Sequence, residues 1–182
     1  MAIVLDPPSL MTTERLTLRL PALTDARQLY DGYISKPEVP KYMSWVAHTD
    51  IGQTVGFLTH LISAFEQKTN FEYVIEITEN SGAAIGMIGM HPLRNGVGFG
   101  YVIAPPYWNQ GIASEALKHL VDWSLKQKGV FRAQAHCDTE NPASARVMEK
   151  AGMSFEGVLR RYFVHPNISD EPRDSLMYAK AK

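Results

Sequence analysis

The stretch Tyr107-Trp-Asn-Gln-Gly-Ile-Ala-Ser114 runs from an apolar, β-rich segment straight into a long helical pattern, and it is the part of the sequence best suited to hold a charged ligand. The first turn of a helix leaves backbone N–H groups without intrahelical partners and carries partial positive charge, so an anion can be held there without lysine or arginine. Gly111 and Ala113 carry no bulky side chain, which lets the backbone approach a diphosphate. Gly111 also reads as a plain turn residue, and the short motif does not separate the two readings. Gly96, Gly98 and Gly100 open no helix, so they are not a dinucleotide fingerprint; they read as a bulge or as room for a neighbouring chain or ligand arm. Asn141-Pro142 has the chemistry of a helix start, Asn141 as cap and Pro142 at the first helical position. His136-Cys137-Asp138 suggests a nucleophile with partners, but strand neighbours point to opposite faces and Cys137 shares its face with Ala133 and Ala135, the pattern of packing. The six histidines show no metal-ligand spacing, and no metal site is expected. Tyr42, Trp45, Phe71 and Tyr73 suit either the aromatic wall of an acceptor pocket or core and dimer packing.

These residues need a scaffold. A chain of 182 residues, 45% hydrophobic and 20% charged, has the composition of one globular domain. Eighteen Lys and Arg against nineteen Asp and Glu, with no block of like charge, offer no track for a nucleic acid. No run approaches the roughly 20 apolar residues of a bilayer span, and the N-terminus lacks the pattern of a signal peptide. The single cysteine, Cys137, fits a reducing compartment, and a cytoplasmic location is expected. Residues 1–11 read as an irregular segment. Alternation at 15–20 predicts a first strand, and Thr24 and Asp25 cap a helix to about Tyr33. A longer helix follows over 50–68, with Val55, Leu58, Leu61, Ile62 and Phe65 as its apolar stripe. Runs at 73–78, 84–90 and 97–103, separated by Asn80-Ser81-Gly82 and Asn95-Gly96, predict an antiparallel meander. A helix over 111–128, a strand over 132–138, a helix over 141–151 and strands over 155–164 and 175–180 complete the order. The fold class is α/β of the α+β kind, a mixed sheet without regular β-α alternation.

At this point the sequence resembles a known family. Tyr107-Trp-Asn-Gln-Gly-Ile-Ala-Ser-Glu-Ala116, then Asn141-Pro-Ala-Ser-Ala-Arg-Val-Met-Glu-Lys-Ala-Gly152 and Phe155-Glu-Gly-Val-Leu-Arg160, resemble the GNAT superfamily of acetyl-CoA-dependent N-acetyltransferases. Thr13-Glu-Arg-Leu-Thr-Leu-Arg19 and Arg173-Asp-Ser-Leu-Met-Tyr178 are similar to its ribosomal-protein N-terminal acetyltransferase branch. The resemblance spans about residues 12 to 180. It implies a mostly antiparallel central sheet of about seven strands flanked by helices, splayed between the fourth strand (97–103) and the fifth (132–138). Acetyl-CoA would lie in the splay as cosubstrate. Backbone groups of Val102 and Ile103 would pair with its pantetheine, and the N–H groups of Asn109, Gln110, Gly111, Ile112, Ala113 and Ser114 would hold its diphosphate. Asn141 would touch the pantetheine arm.

Amide formation needs a neutral amine, a donor for the oxyanion and a proton for the departing thiolate. Gly98 stands where many relatives carry a glutamate base, and Met148 where others have a tyrosine acid. By resemblance, Ser144 takes over protonation of the thiol. Glu72 and Tyr101 are the candidate bases, directly or through water, with surface and packing roles as their alternatives. Tyr42, Trp45 and Tyr73 are the candidate acceptor contacts. A site without a strong base suits an α-amine: near pH 7.5 roughly a quarter to a third of it is neutral, against about 0.1% of a lysine side chain. The expected activity is direct acetyl transfer to the α-amine of a protein or peptide N-terminus. A small amine (polyamine, amino acid or antibiotic) and a noncatalytic acyl-CoA sensor are the alternatives, and a homodimer stays open.

Overall fold

Leu16 and Leu18 alternate with Thr17 and Arg19, and both leucines are fully buried, which places one face of the strand Leu16–Arg19 on the core. The computed structural model describes residues 3–80 and 82–182, and builds them around an eight-stranded sheet. Its strands are β1 (Leu10–Thr12), β2 (Leu16–Arg19), β3 (Phe71–Ile77), β4 (Gly86–Pro92), β5 (Gly96–Ile103), β6 (Arg132–Asp138), β7 (Ser154–Phe163) and β8 (Arg173–Ala181). The spatial order is β1-β2-β3-β4-β5-β6-β8-β7. Every pairing is antiparallel except β5 with β6.

The eighth strand is β1, in the segment expected to be irregular. Its three residues pair with β2, and Met11 reaches the core. The turn expected at Asn80-Ser81-Gly82 falls on Ser81, outside the described residues. The helix expected from Thr24 to Tyr33 is instead a 3-10 turn at Leu23–Asp25, a short α1 (Ala26–Leu29) and a π turn at Tyr30–Ile34. Asp25 caps nothing with its side chain at the start of α1. Its carboxylate accepts two hydrogen bonds from the Arg19 guanidinium at 2.8 Å, which also contacts Glu76 at 2.7 Å.

Three further helices complete the domain: α2 (Ile51–Glu66), α3 (Ile112–Leu125) and α4 (Pro142–Lys150). Asp50 caps α2 through Gly52 N–H at 2.7 Å. Leu58 and Leu61 of its expected stripe are buried, whereas Val55 is exposed and Thr54 takes the inner position. In α3 the residues Ile112, Ala116, Leu117, Leu120, Val121 and Ser124 are all buried at helical spacing. α3 and α4 share a core with Val97, Phe99, Ala133, Ala135 and Cys137. α1 and α2 cover the other face against Val74, Met87 and Ala104. No helix among the described residues is long and apolar enough to cross a membrane.

The expected splay lies between β5 and β6. They pair only at Gly96↔Arg132, Val97↔Ala133 and Gly98↔Gln134. Gly96 belongs at this contact, because a Cβ there would stand 2.4 Å from the Arg132 carbonyl oxygen. Beyond Gly98 the strands part, and β5 from Phe99 to Ile103 keeps β4 on one side and has no strand on the other.

Because α3 holds one wall of this opening, its buried face should carry a large share of stability. Leu120→Ala, at a fully buried position, is expected to cost about 2–5 kcal/mol in chemical denaturation.

Candidate active site

From Ile103 the chain reaches α3 through a 3-10 turn at Pro105–Tyr107. Asn109 and Gly111 then take left-handed backbone conformations, with φ of 61° and 78°. Gly111 is the N-cap of α3 and has no side chain to accept from the helix, whereas Asp50 and Asn141 do so for α2 and α4. The first-turn N–H groups, Ile112, Ala113 and Ser114 among them, thus face outward for an external acceptor. The one acid in that turn, Glu115, would oppose an anion, but it is occupied. Its Oε1 accepts from Thr13 Oγ1 at 2.5 Å and from the Arg15 N–H at 2.9 Å, and its Oε2 from Arg15 Nε at 2.7 Å. Burial works against ionisation of Glu115, yet these donors outweigh it and hold the carboxyl below its usual range. Arg15 also donates to the Gln110 carbonyl at 3.2 Å, which ties the loop to the strand region.

This loop forms one end of a cleft of about 590 Å³ that includes Tyr101, Val102, Ile103, Asn141 and Ser144. It fits the extended shape of a pantetheine chain because the free edge of β5 supplies unpaired backbone groups along it. The Ile103 carbonyl already accepts from the Trp108 indole N–H at 2.6 Å, a contact that sequence reasoning missed. Lys41, Arg146 and Lys150 line the cleft with Glu38 as the only acid among the described residues there, a balance suited to an anionic ligand. Tyr42 donates from its hydroxyl to the Glu140 carbonyl at 2.9 Å, so it spans from its own turn to the loop before α4.

The structure brings two of the predicted catalytic residues together. Tyr101 Oη and Ser144 Oγ lie 2.7 Å apart, and Tyr101 Oη is 3.1 Å from the Ser144 carbonyl oxygen. Ser144 is fixed from its backbone, whose N–H donates to Asn141 Oδ1 at 3.2 Å. Asn141 is therefore the helix cap and a cleft residue at once. When Tyr101 donates to Ser144 Oγ, the serine proton is free to turn toward the cleft. Burial raises the Tyr101 hydroxyl well above its usual value despite the bond to Ser144, so Tyr101 keeps its proton and is a poor base. Burial pushes the Cys137 thiol up to about 11, leaving it protonated and packed in the core.

Glu72 lies on the other face of the sheet, opposite Gly89 in the β3–β4 register. A Cβ on Gly89 would collide with Glu72 Oε1 at 2.0 Å, so the carboxyl occupies room left by that glycine. Burial pushes Glu72 up to about 8, although Asn70 Nδ2, 3.5 Å from Oε1, favours the charged form. Tyr73, expected beside the acceptor, belongs to the core instead: it is fully buried against Phe65 and donates its hydroxyl to the Pro8 carbonyl at 2.8 Å. Phe71 is buried in the same cluster. Trp45 packs on the α1–α2 side, and its carbonyl accepts from Asn167 Nδ2 at 2.8 Å. Sequence reasoning passed over His91, whose Nδ1 is 2.6 Å from Asn70 Oδ1 and whose Nε2 is 3.8 Å from Glu72 Oε1. The described residues contain no group of three or more His, Cys, Asp or Glu placed to hold a metal.

Comparison with known proteins agrees with this geometry. Residues 15–154 match the model of the acetyltransferase (GNAT) domain. A Bacillus subtilis protein named as the uncharacterized N-acetyltransferase YoaA is 30% identical over 176 residues, covering 95% of this chain and 97% of that protein. The crystal structure of a GNAT-family acetyltransferase from Bacillus anthracis superposes with a TM-score of 0.81 at 29% identity, over 94% of this chain and 98% of that one. RimL, a ribosomal L7/L12 α-N-protein acetyltransferase solved with coenzyme A, superposes with a TM-score of 0.81 at 18% identity, over 94% and 97% of the two chains. A sheet opened beside a strand edge, an uncapped helix start at its mouth and these matches lead to one conclusion: the chain belongs to the GNAT acetyltransferase family and is an N-acetyltransferase that uses acetyl-CoA.

Proposed function

We propose that this enzyme transfers the acetyl group directly from acetyl-CoA to the α-amine of a peptide or protein N-terminus. The observation that carries the reading is the continuity of the cleft from the uncapped start of α3 to the Tyr101–Ser144 pair. The diphosphate would rest on the N–H groups of residues 109–114, the pantetheine along Val102 and Ile103 and past Asn141, and the thioester beside Ser144. Ser144 then protonates the departing thiolate while Tyr101 holds it in place. Tyr42, which lines the cleft, is the acceptor contact in this reading, and Trp45 packs on the α1–α2 side outside the cleft lining.

Two considerations support an α-amine over a polyamine. An α-amine with a pKa of about 7.7–8.0 is already partly neutral at working pH, so it asks little of the base. RimL, which shares the fold, acetylates an α-amine. The competing acceptor is spermidine, the substrate named for an Escherichia coli acetyltransferase 23% identical over half of this chain.

Thiol release from acetyl-CoA should be followed with a short peptide bearing a free N-terminus, the same peptide Nα-blocked but carrying a lysine, and spermidine. The free α-amine is expected to give a kcat/KM at least ten times that of either competitor. Turnover of spermidine alone would replace the peptide acceptor, and calorimetric binding of acetyl-CoA without thiol release from any amine would make the chain an acyl-CoA sensor.

Two variants test the assigned roles. Gly111→Val forces a β-branched residue into a left-handed conformation at the diphosphate loop, and it should weaken coenzyme A binding about tenfold or more in calorimetry. Ser144→Ala should lower kcat about 10²-fold while leaving the Kd for acetyl-CoA within threefold; wild-type kcat would remove the acid role.

A further inference from the structure

On the face of β5 turned away from α3, Gly98 and Gly100 leave two successive inward positions without a side chain, while Val97 and Phe99 pack on the α3 side. The vacancy is filled from the neighbouring strand. His91 of β4 is the register partner of Gly98, and its Nε2 stands 3.6 Å from where a Cβ on Gly100 would be. The ring therefore lies over the stretch of β5 at which β6 departs, one residue before Tyr101. Its side chain is 45% exposed, against 17% for Glu72, so of the two it is the one open to an incoming molecule.

The ring is also oriented. Asn70 Nδ2 points to Glu72, which turns Asn70 Oδ1 toward His91. An amide oxygen accepts only, so His91 Nδ1 carries the proton and Nε2 presents its lone pair. We propose that His91 Nε2 is the general base for the acceptor amine, with Asn70 and Glu72 as the residues that position it. This deepens the transferase reading above and rests on it.

In the step, the amine nitrogen forms its bond to the acetyl carbonyl carbon and gives a proton to Nε2. The carbon–sulfur bond breaks, and the thiolate takes its proton from the Ser144 hydroxyl, which regains one from solvent through the cleft, so acid and base stand on opposite faces of the opened sheet. The imidazolium then releases its proton to solvent. Burial holds His91 below its ordinary value, which keeps Nε2 unprotonated at neutral pH. Glu72 of β3 faces it at 3.8 Å, and Tyr33 of the π turn, a fully buried hydroxyl without a hydrogen-bond partner among the described residues, lies within electrostatic reach of Glu72.

The test uses acetyl-CoA with the free peptide and with spermidine, at saturating acceptor, so that kcat against pH reports groups in the bound complex. Wild type should lose activity on the acid side as His91 protonates. His91→Gln should lower kcat about 10²-fold or more, abolish that acid limb and leave the Kd for acetyl-CoA within threefold. Asn70→Asp places a carboxylate on Nδ1 and should move the limb to higher pH by about one unit, a shift that a purely structural role of Asn70 would not produce. The assignment fails if His91→Gln keeps kcat within threefold or retains the limb. It also fails if Asn70→Asp binds acetyl-CoA normally with the limb unmoved, and this second variant decides should His91→Gln not fold. Wild type inactive on both amines would instead defeat the transferase reading, and the role of His91 with it.

Discussion

The molecule depends on a hydrogen-bonded ladder that stops early. β5 and β6 share three residue pairs and then separate, so from Phe99 to Ile103 the alternate N–H and C=O groups of β5 that point away from β4 have no strand partner, and of these the Ile103 carbonyl is taken by the Trp108 indole. Unpaired backbone of this kind is costly away from water, and the cost is offset when a ligand supplies the missing partners. A long, flexible amide-bearing chain such as that of acetyl-CoA carries partners of this kind. α3 follows the same logic at a single point, where a glycine cap leaves the helix start without an internal acceptor.

Around this opening the rest of the domain holds two arms apart. β4 and β6–β8 pair along their full lengths and keep each arm stiff, while α3 and α4 wedge a single apolar core behind the gap. A pair of hydroxyls bridges the arms, Tyr101 from β5 and Ser144 from α4. The acidic and imidazole groups lie on the opposite face of the first arm. The proposed base and the proposed acid thus lie on separate sides of one sheet.

Much of this was legible in the sequence wherever a local rule set the structure. Residues 132–138 form a strand at the expected bounds, α3 buries the six residues whose spacing named them, and the loop at 107–114 stands at the mouth of the cleft. Local rules fail where tertiary partners decide. Asp25 has the chemistry of a helix cap, but Arg19 holds its carboxylate. Tyr73 is as aromatic as Tyr42, yet only the sheet face on which it lands sends it to the core. His91 looked isolated in the chain and becomes conspicuous only when the hairpin register sets it beside Gly98. The Asn95-Gly96 turn carries enough information to count that register, since Pro92 pairs with Val97 across it, and the room that the glycines leave, expected for a neighbouring chain or ligand arm, borders the His91 ring.

Tyr42 adds a consequence for traffic. Its phenol reaches across the groove to the Glu140 carbonyl, and Asn167 anchors the same strap through the Pro40 and Trp45 carbonyls. Tyr42 lines the cleft, so this bond closes one stretch of its rim. One neutral hydrogen bond contributes only about 0.5–1.5 kcal/mol, so the closure behaves as a latch rather than a lock.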